Sequence, residues 1–573
     1  MTRLLNILFA ATLALSSTAC QATMPSAETE SAGNWAPEGK GIASSADPRA
    51  TAAGQEILRK GGSAADAAMA MMLALTVVEP QSSGIGGGGF LLYHEAESGT
   101  LSTIDGRETA PMSASETLFV DGEGKPLPFR EAFQGGHSVG VPGNIRLMAM
   151  THDKWGKLPW ADLFAPAIRL AEGYEVNDVL AERLARLAPL WERFPDARAL
   201  YWQDGAPKRA GDRIVNPDLA ALLRTVAAEG PDAFYIGTAG QAIVDAVNTT
   251  SVNPANMTMA DLAAYRVRER DPVCVPYRQY RICGMGPPSS GATTVLQILG
   301  MLERFDMGAM GKDDVRSWHL IGEAMQLAYA DRQKYLGDND FVHVPVQGLL
   351  DRSYVASRSA LISIDRARPD YPAGSPPDAA PRTMAPSSEV PGTTHFVAVD
   401  GAGNVASMTS TIEGPFGSQL IANGFFLNNE LTDFTFAPEQ DGMPVANRVQ
   451  PGKRPLSSMS PTIVYDAKGR PVLAIGSAGG KRIIMHVTKA LIGVLDFGLS
   501  VEEAIALPNI YFGGGQLLVE QGSWLETRQA ELAAFGQPVA TADLPSKLNG
   551  AQAVKQGWLG GADPRSPGVA LAE

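Results

Sequence analysis

The stretch PGTTHF, residues 391–396, marks an abrupt change in the character of the chain. A segment rich in proline, alanine and serine ends there, and an apolar run that predicts a buried strand begins. Thr393 follows a small residue, Gly392, at this junction. A threonine freed at a new amino terminus offers a hydroxyl as nucleophile and an α-amine as its base. We therefore predict that Thr393 breaks the bond between Gly392 and Thr393 and then serves as the catalytic residue.

The segment before the junction, residues 369–392, is too poor in large apolar residues to fold by itself. We predict a flexible, exposed connector. Its new end at Gly392 must leave before a substrate can occupy the space in front of the nucleophile.

The first residues predict export. Residues 1–20 combine Arg3, an apolar run and a small-residue exit, which is typical of a secretory signal peptide. Cys20 at that exit is a candidate lipidation site of a bacterial lipoprotein, and an ordinary cleaved signal is the open alternative. Residues 21–38 resemble a tether. We expect a periplasmic protein that contacts a membrane only through a lipid anchor.

Composition excludes several classes of function. The chain has 573 residues and a formal net charge of −14, so it is a poor partner for nucleic acid. The histidines are scattered without metal-ligand spacing, and we expect neither a metal nor a cofactor. Cys274 and Cys283 flank a symmetric run that predicts a hairpin, which makes them a candidate disulfide, with two reduced thiols as the alternative.

Between residues 144 and 360 the apolar periodicity predicts core-facing helices, including one over residues 160–172 and one over 315–335. The later chain is rich in strands. The loop GSAGG, residues 476–480, joins a predicted strand to a helix, so its N–H groups could hold a developing oxyanion. Arg107 follows another predicted strand, where it forms either a surface ion pair or a clamp for a carboxylate.

Eight motifs occur in one order along the chain: GGSAADAA (61–68), SSGIGGGGF (82–90), DGRETAP (105–111), GTTHF (392–396), LNNELTDF (427–434), KRPLSSMSPTI (453–463), GSAGG (476–480) and ADPR (562–565). In these the chain resembles the gamma-glutamyltransferases, also called glutathione hydrolases, from about residue 41 to its end. The resemblance implies an α+β fold, the four-layer αββα sandwich of N-terminal-nucleophile (Ntn) hydrolases. It also implies self-cleavage of a zymogen into a large subunit, 39–392, and a small catalytic subunit, 393–573, intertwined as one domain.

The resemblance also implies roles for individual residues. Thr393 is the nucleophile, Thr411 steadies its amine, and the amides of Gly479 and Gly480 form the oxyanion hole. A second group binds the γ-glutamyl substrate. The α-carboxylate contacts Arg107, Ser457 and Ser458. The α-ammonium contacts Asp433 and Glu430, and Glu413 lies beside them.

The chain departs from the family pattern at two positions. Glu413 stands where relatives that use glutathione often carry Asn, and Thr432 replaces an acidic residue. The stretch 434–453 is short, which predicts a reduced lid over the substrate.

We expect an exported γ-glutamyl hydrolase or transferase that takes a glutathione-class donor and water or an amino-acid or peptide acceptor. The alternatives are a glutaryl or cephalosporin-type acylase, a poly-γ-glutamate-cleaving enzyme and, more remotely, an unprocessed, non-catalytic envelope lipoprotein.

Overall fold

The computed structural model describes residues 34–384, 390 and 392–573. The predicted signal peptide and Cys20 lie outside the described residues. No helix in these ranges combines the length and the apolar character needed to span a bilayer.

Two antiparallel sheets of seven strands each form the centre of the molecule. Sheet I contains, in spatial order, Val569–Ala572, Ile42–Ser45, Thr394–Val399, Val405–Thr411, Gly88–Glu95, Thr100–Asp105 and Arg268–Arg270. Sheet II contains Trp35–Pro37, Gly557–Ala562, Asn549–Val554, Pro471–Gly476, Thr462–Tyr465, Tyr280–Gly284 and Val273–Tyr277.

The remaining described strands form a three-stranded sheet and four short ribbons. The sheet contains Ile510–Gly513, Gln516–Glu520 and Val539–Ala542. The ribbons pair Tyr174–Glu175 with Arg213–Ile214, Trp202–Gln203 with Ala206–Pro207, Ile421–Ala422 with Phe425–Phe426, and Glu439–Gln440 with Met443–Pro444.

Helices cover the outer faces of the two large sheets. The helices before residue 270 are Pro48–Arg59, Ala64–Val78, Phe129–Ala132, Asn144–Trp155, Ala165–Ala171, Asp178–Leu187, Pro195–Tyr201, Pro217–Glu229, Asp232–Tyr235, Gly237–Thr249 and Met259–Ala264. The later helices are Gly291–Leu302, Met307–Met310, Val315–Tyr335, Val346–Leu349, Arg352–Ser359, Ile483–Leu495, Val501–Ala506 and Gln529–Ala533.

The strand Thr394–Val399 shows how the four layers are assembled. Side chains alternate between the two faces of a strand, and here both faces are apolar. Phe396 and Ala398 belong to the core shared with helix Ala64–Val78. Val397 and Val399 belong to the core shared with sheet II and the helices beyond it. The order is therefore helices, sheet I, sheet II, helices, which is the predicted αββα sandwich.

Helix Ala64–Val78 is buried along its whole length. Ser63 caps its first turn, because the Ser63 side chain accepts from Asp66 N while the Asp66 carboxylate accepts from Ser63 N. The helix packs against Thr394–Val399 and Val405–Thr411, the two strands of sheet I that follow the predicted cleavage site.

Residues on either side of the predicted cleavage site share sheet I. Strand Thr394–Val399 pairs with Ile42–Ser45, and Val405–Thr411 pairs with Gly88–Glu95. Breaking the chain before Thr393 therefore leaves the two pieces joined by continuous ladders of backbone hydrogen bonds.

Two predicted boundaries are wrong. The tether was predicted to extend to residue 38, but Trp35–Pro37 already pairs with the strand Gly557–Ala562. So short an edge strand has no periodicity of its own to reveal it. Residues 160–172 form a 3-10 turn, Trp160–Phe164, before helix Ala165–Ala171, because Pro166 favours a fresh helix start at that position.

The described part of the connector, residues 369–384, contains neither helix nor strand, but it is tethered. Tyr371 donates to the carboxylate of Glu323, and Gly374 N donates to Asp331 Oδ1 over 2.7 Å. Residues 385–389 and 391 lie outside the described residues.

The hairpin formed by Val273–Tyr277 and Tyr280–Gly284 lies at the edge of sheet II and places Cys274 opposite Cys283. The structure joins these two residues by a disulfide.

Candidate active site

Thr393 immediately precedes the first residue of a buried strand. Its main-chain N donates to Ser82 O over 3.0 Å, and its Oγ1 lies 3.0 Å from Thr411 Oγ1. Thr394 pairs with Ser410 in the hairpin, so the next residues outward, Thr393 and Thr411, face each other. The Thr411 hydroxyl also accepts from Glu413 N over 2.8 Å, which fixes its orientation.

The backbone at the predicted cleavage site is strained. Thr393 has φ +78°, a conformation that a β-branched residue rarely adopts. A Cβ added to Gly392 would lie 1.8 Å from Glu413 O, so only glycine fits before the nucleophile. Conformations of this kind cost about 1–3 kcal/mol. Breaking the bond between these two residues releases that strain.

The predicted oxyanion loop lies between strand Pro471–Gly476 and helix Ile483–Leu495. Gly479 has φ +132° and Gly480 φ +59°, which favour glycine at both positions. Gly480 lines the same pocket as Thr393, whereas Gly479 lies one residue behind it and is not part of the lining. Buried His486 contacts Ser477 Oγ at 3.0 Å and braces the loop.

Arg107 is buried within a cluster of carboxylates. It forms ion pairs with Glu430 and, at 2.5 Å, with Asp433, and Glu108 lies 3.9 Å away. Although burial opposes its charge, these carboxylates raise the pKa of Arg107 above its usual range. Burial raises the pKa of Glu108 to about 7, against the pull of Arg107. Three carboxyl groups surround one guanidinium, and burial raises the pKa of Glu430 as well as that of Glu108. A bound ammonium would favour the charged form of these glutamates.

Ser457 and Ser458 line the pocket beside Arg107. Ser458 Oγ accepts from Arg332 Nη2 over 2.7 Å, and Ser457 Oγ accepts from Met459 N over 3.1 Å. Each hydroxyl therefore has its acceptor role occupied within the protein and keeps its own hydrogen for an anionic group. The predicted clamp for a carboxylate thus combines two hydroxyls and a guanidinium.

Glu413 faces the connector in the uncut chain. Its carboxylate accepts from Val390 N over 3.0 Å and from Asn429 Nδ2. Val390 itself lines the pocket. In this state Glu413 binds Val390 rather than a substrate.

One pocket brings together nine of the residues named from the sequence: Arg107, Thr393, Thr411, Glu413, Glu430, Asp433, Ser457, Ser458 and Gly480. Gly392 and Gly479 are chain neighbours of this lining. Within the described ranges, no group of three or more His, Cys, Asp or Glu side chains could hold a metal ion.

His395 lies close to the nucleophile but is not a usable base. Burial lowers its pKa to about 3, and its Nδ1 contacts Thr409 Oγ1 at 2.8 Å. The ring belongs to the packing beside Gly476, where an added Cβ would meet it at 2.4 Å. The α-amine that cleavage before Thr393 would free remains the predicted base.

A family model described as gamma-glutamyltranspeptidase matches residues 50–573. The chain belongs to this family. It is 39% identical over 484 residues to a glutathione hydrolase proenzyme of Bacillus subtilis (strain 168), covering 82% of this chain and 80% of that protein. The glutathione hydrolase proenzyme of Escherichia coli (strain K12) is 38% identical over 542 residues, covering 92% and 90%.

A solved relative has the same fold over nearly the whole chain. The crystal structure of a cephalosporin acylase from Bacillus halodurans matches with a TM-score of 0.83 at 27% identity, covering 94% of this chain and 96% of that one. The predicted Ntn-hydrolase sandwich is thereby confirmed.

Several site residues of this family member were missed from the sequence alone. Glu108 and Asn429 lie inside the motifs on which the resemblance rests. The sequence could not show that both side chains are buried at the site. Ser82 O receives the Thr393 N–H, while the Ser82 side chain contacts Glu79 and Lys547. Nothing in the local sequence links residues 79 and 547, so no pattern could have found this pair.

Proposed function

We propose that this family member is made as a proenzyme, cuts itself before Thr393, and then transfers the γ-glutamyl group of glutathione-class amides to water or to an amine. The observation that carries the proposal is the meeting of Thr393 and Thr411, 3.0 Å apart, in one pocket with the Arg107 cluster.

Self-cleavage begins with attack of Thr393 Oγ1 on the carbonyl carbon of Gly392. The peptide C–N bond breaks, the nitrogen takes up the proton that Thr393 Oγ1 loses and becomes the Thr393 amine, and an ester joins Gly392 to Thr393 Oγ1. Water then hydrolyses that ester and leaves a carboxylate on Gly392. The positive φ of Thr393 favours the step, because strain in the peptide is lost when the C–N bond breaks.

Each later turnover uses the amine that cleavage frees. The amine takes the proton from Thr393 Oγ1, which attacks the γ-carbonyl of the substrate. Gly480 N–H, with Gly479 beside it, stabilises the oxyanion. The amide C–N bond breaks, the departing amine receives the proton, and water or an acceptor amine releases the acyl group from Thr393.

The charges of the pocket favour a γ-glutamyl group. Its α-carboxylate suits Arg107 and the two serine hydroxyls, and its α-ammonium suits Asp433 and Glu430. A glutaryl group has the same carboxylate but no ammonium, so it forgoes the charged hydrogen bond with Asp433 and Glu430, which contributes about 1.5–3 kcal/mol.

A glutaryl or cephalosporin-type acylase is the second candidate. The likeness to the Bacillus halodurans acylase over 94% of the chain favours it, as does Glu413 at a position where an amide is common. Turnover of γ-glutamyl and glutaryl 4-nitroanilides separates the two candidates, and a higher kcat/KM for the glutaryl donor would favour the acylase.

The decisive first experiment follows the purified full chain by denaturing electrophoresis and N-terminal sequencing. We expect a fragment that begins at Thr393, and we expect Thr393→Ala to remain uncut. A fragment that begins elsewhere, or an uncut wild-type chain without turnover, would refute the proposal and favour a non-catalytic envelope protein.

We also propose export to the periplasm, supported by the signal-like residues 1–20. In this proposal, the protein contacts a membrane through a lipid attached to Cys20. Mass spectrometry of the mature amino terminus in the native host distinguishes a diacylglyceryl cysteine from an ordinary cleaved end.

A further inference from the structure

A second and larger cavity, of about 810 Å³, adjoins the catalytic pocket. We call it the arginine groove and define it by Phe129, Arg130, Phe133, Arg183, Arg186 and Arg482. Its volume lies within the usual range of small-molecule sites, about 300–1,000 Å³.

Val390 lines both cavities and so separates them in the uncut chain. Elsewhere the two linings are adjacent in sequence. Gly414 lines the groove and follows Glu413 of the pocket, while Arg482 lines the groove and precedes Ile483 of the pocket. When cleavage frees the segment that carries Val390, the pocket and the groove become one continuous space.

The charge of the groove is opposite in sign to the net charge of the whole chain. The formal net charge of the whole chain is −14, yet the groove has four arginines and a single carboxylate, Asp543, in its lining. None of these arginines forms an ion pair within 4.0 Å with a carboxylate of residues 34–384, 390 or 392–573. A cationic cleft in an anionic protein concentrates anions at that place.

Two of the arginines lie on the same face of one helix. Arg183 and Arg186 lie three residues apart on helix Asp178–Leu187, so they share a face. Arg482 is half-buried beside the oxyanion loop, and burial lowers its pKa. A bound anion would compensate the positive charge of Arg482, which burial disfavours.

The groove also has an apolar wall. Phe129 and Phe133 stack with ring centroids 5.7 Å apart, and Leu187 and Leu190 complete this side. A ligand that fits therefore has an apolar body and at least one carboxylate.

We propose that the arginine groove binds the amine fragment of the substrate, as leaving group and as acceptor, and selects fragments that carry a carboxylate. This inference rests on the proposed γ-glutamyl chemistry. The acyl group fills the pocket from Thr393 to Arg107, so the amine on the other side of the scissile amide extends into the space that Val390 vacates. Peptides and amino acids with a free carboxylate have the required chemistry.

The test uses two donors with the same acyl group. γ-Glutamyl-4-nitroanilide has a neutral leaving group, and γ-glutamyl-3-carboxy-4-nitroanilide adds one carboxylate to it. Release of the nitroaniline gives kcat/KM for each donor with the processed enzyme. The quantity compared is the ratio of kcat/KM for the carboxylated donor to that for the neutral one.

We expect the double variant Arg183→Gln/Arg186→Gln to lower this ratio roughly tenfold, because each of the two lost charge pairs contributes up to about a factor of five and the two factors multiply. Arg209→Gln is the matched control, since Arg209 is exposed and is not part of the groove lining. It should leave the ratio unchanged. Raising the salt concentration should lower the ratio for the wild type and not for the double variant.

An unchanged ratio in a double variant that still cuts itself and turns over the neutral donor would overturn the groove assignment. So would a salt dependence that is equal in the variant and the wild type. Failure of the processed wild type to turn over either donor is a different result, because it would refute the proposed function itself.

Discussion

Asp433→Asn tests the charge recognition on which the proposed substrate depends. Asp433 is only 6% exposed, and its Oδ2 lies 2.5 Å from Arg107 Nη2. Asn keeps the shape of the side chain and removes its charge. The α-ammonium of a γ-glutamyl donor then loses a charged hydrogen bond, which contributes about 1.5–3 kcal/mol. We expect kcat/KM for γ-glutamyl-4-nitroanilide to fall roughly 10- to 150-fold relative to glutaryl-4-nitroanilide.

The comparison of two donors removes the effect of the substitution on Arg107. Both donors present the same carboxylate to that guanidinium and the same anilide to Thr393, so a weakened clamp lowers both rates equally. Only the ammonium differs between them. The ratio of the two kcat/KM values therefore reports the contact with Asp433.

Asp338→Asn is a suitable control, because Asp338 is a buried aspartate that lies 3.9 Å from Arg270, outside the pocket. Its ratio should match that of the wild type. If Asp433→Asn lowers the rates of both donors by the same factor, the carboxylate does not recognise an ammonium and the proposed geometry of the substrate is wrong.

Three further outcomes are expected. Gly392→Ala should slow self-cleavage at least tenfold, because its Cβ would lie 1.8 Å from a carbonyl oxygen. Gly122→Ala has no atom within 4 Å of the added Cβ, so this control should cut at the wild-type rate when cleavage is followed on gels. Equal cleavage rates for the two variants would contradict the prediction. Burial raises the pKa of Glu323 to about 7 from 4.5, so above pH 4.5 the unfolded chain loses a proton that the folded protein keeps, and stability falls until about pH 7. Glu323→Gln should remove this loss. In urea unfolding, the wild type should lose up to about 3 kcal/mol of unfolding free energy at pH 8 compared with pH 4.5, and the variant should not. An unchanged pH dependence in the variant would refute the assignment. Peptide mapping without reduction should find Cys274 linked to Cys283, and alkylation of both would contradict the bond.

The pairing of Thr393 with Thr411 could be predicted because it is local. A hairpin turn at residues 400–404 fixes the register of the two strands, and counting outward from that turn brings the two threonines opposite each other. The buried capped helix Ala64–Val78 was predictable for the same reason, since its cap and its apolar run lie in one short segment.

Contacts between distant segments could not be predicted from residue patterns. The ion pair of Arg107 with Glu430, and the contact of Lys547 with Glu79, depend on how the sheets pack. The resemblance to a family placed Arg107 and Glu430 in one site, but it did not show that they neutralise each other in the uncut chain. Edge strand Trp35–Pro37 was missed because its partner lies at the far end of the sequence.

The uncut chain occupies its own active site, and this links processing to activity. Val390 lines the pocket and donates to Glu413, and Gly392 leaves no room beside Glu413 O. A substrate in the same place would have to displace a covalently attached segment, whose effective concentration is far higher than that of a free ligand. In the proposed mechanism, cleavage does two things at one bond: it creates the amine that acts as base, and it lets the segment that carries Val390 leave. A proenzyme built in this way has no active state before Thr393 is free, so premature turnover is prevented by geometry alone.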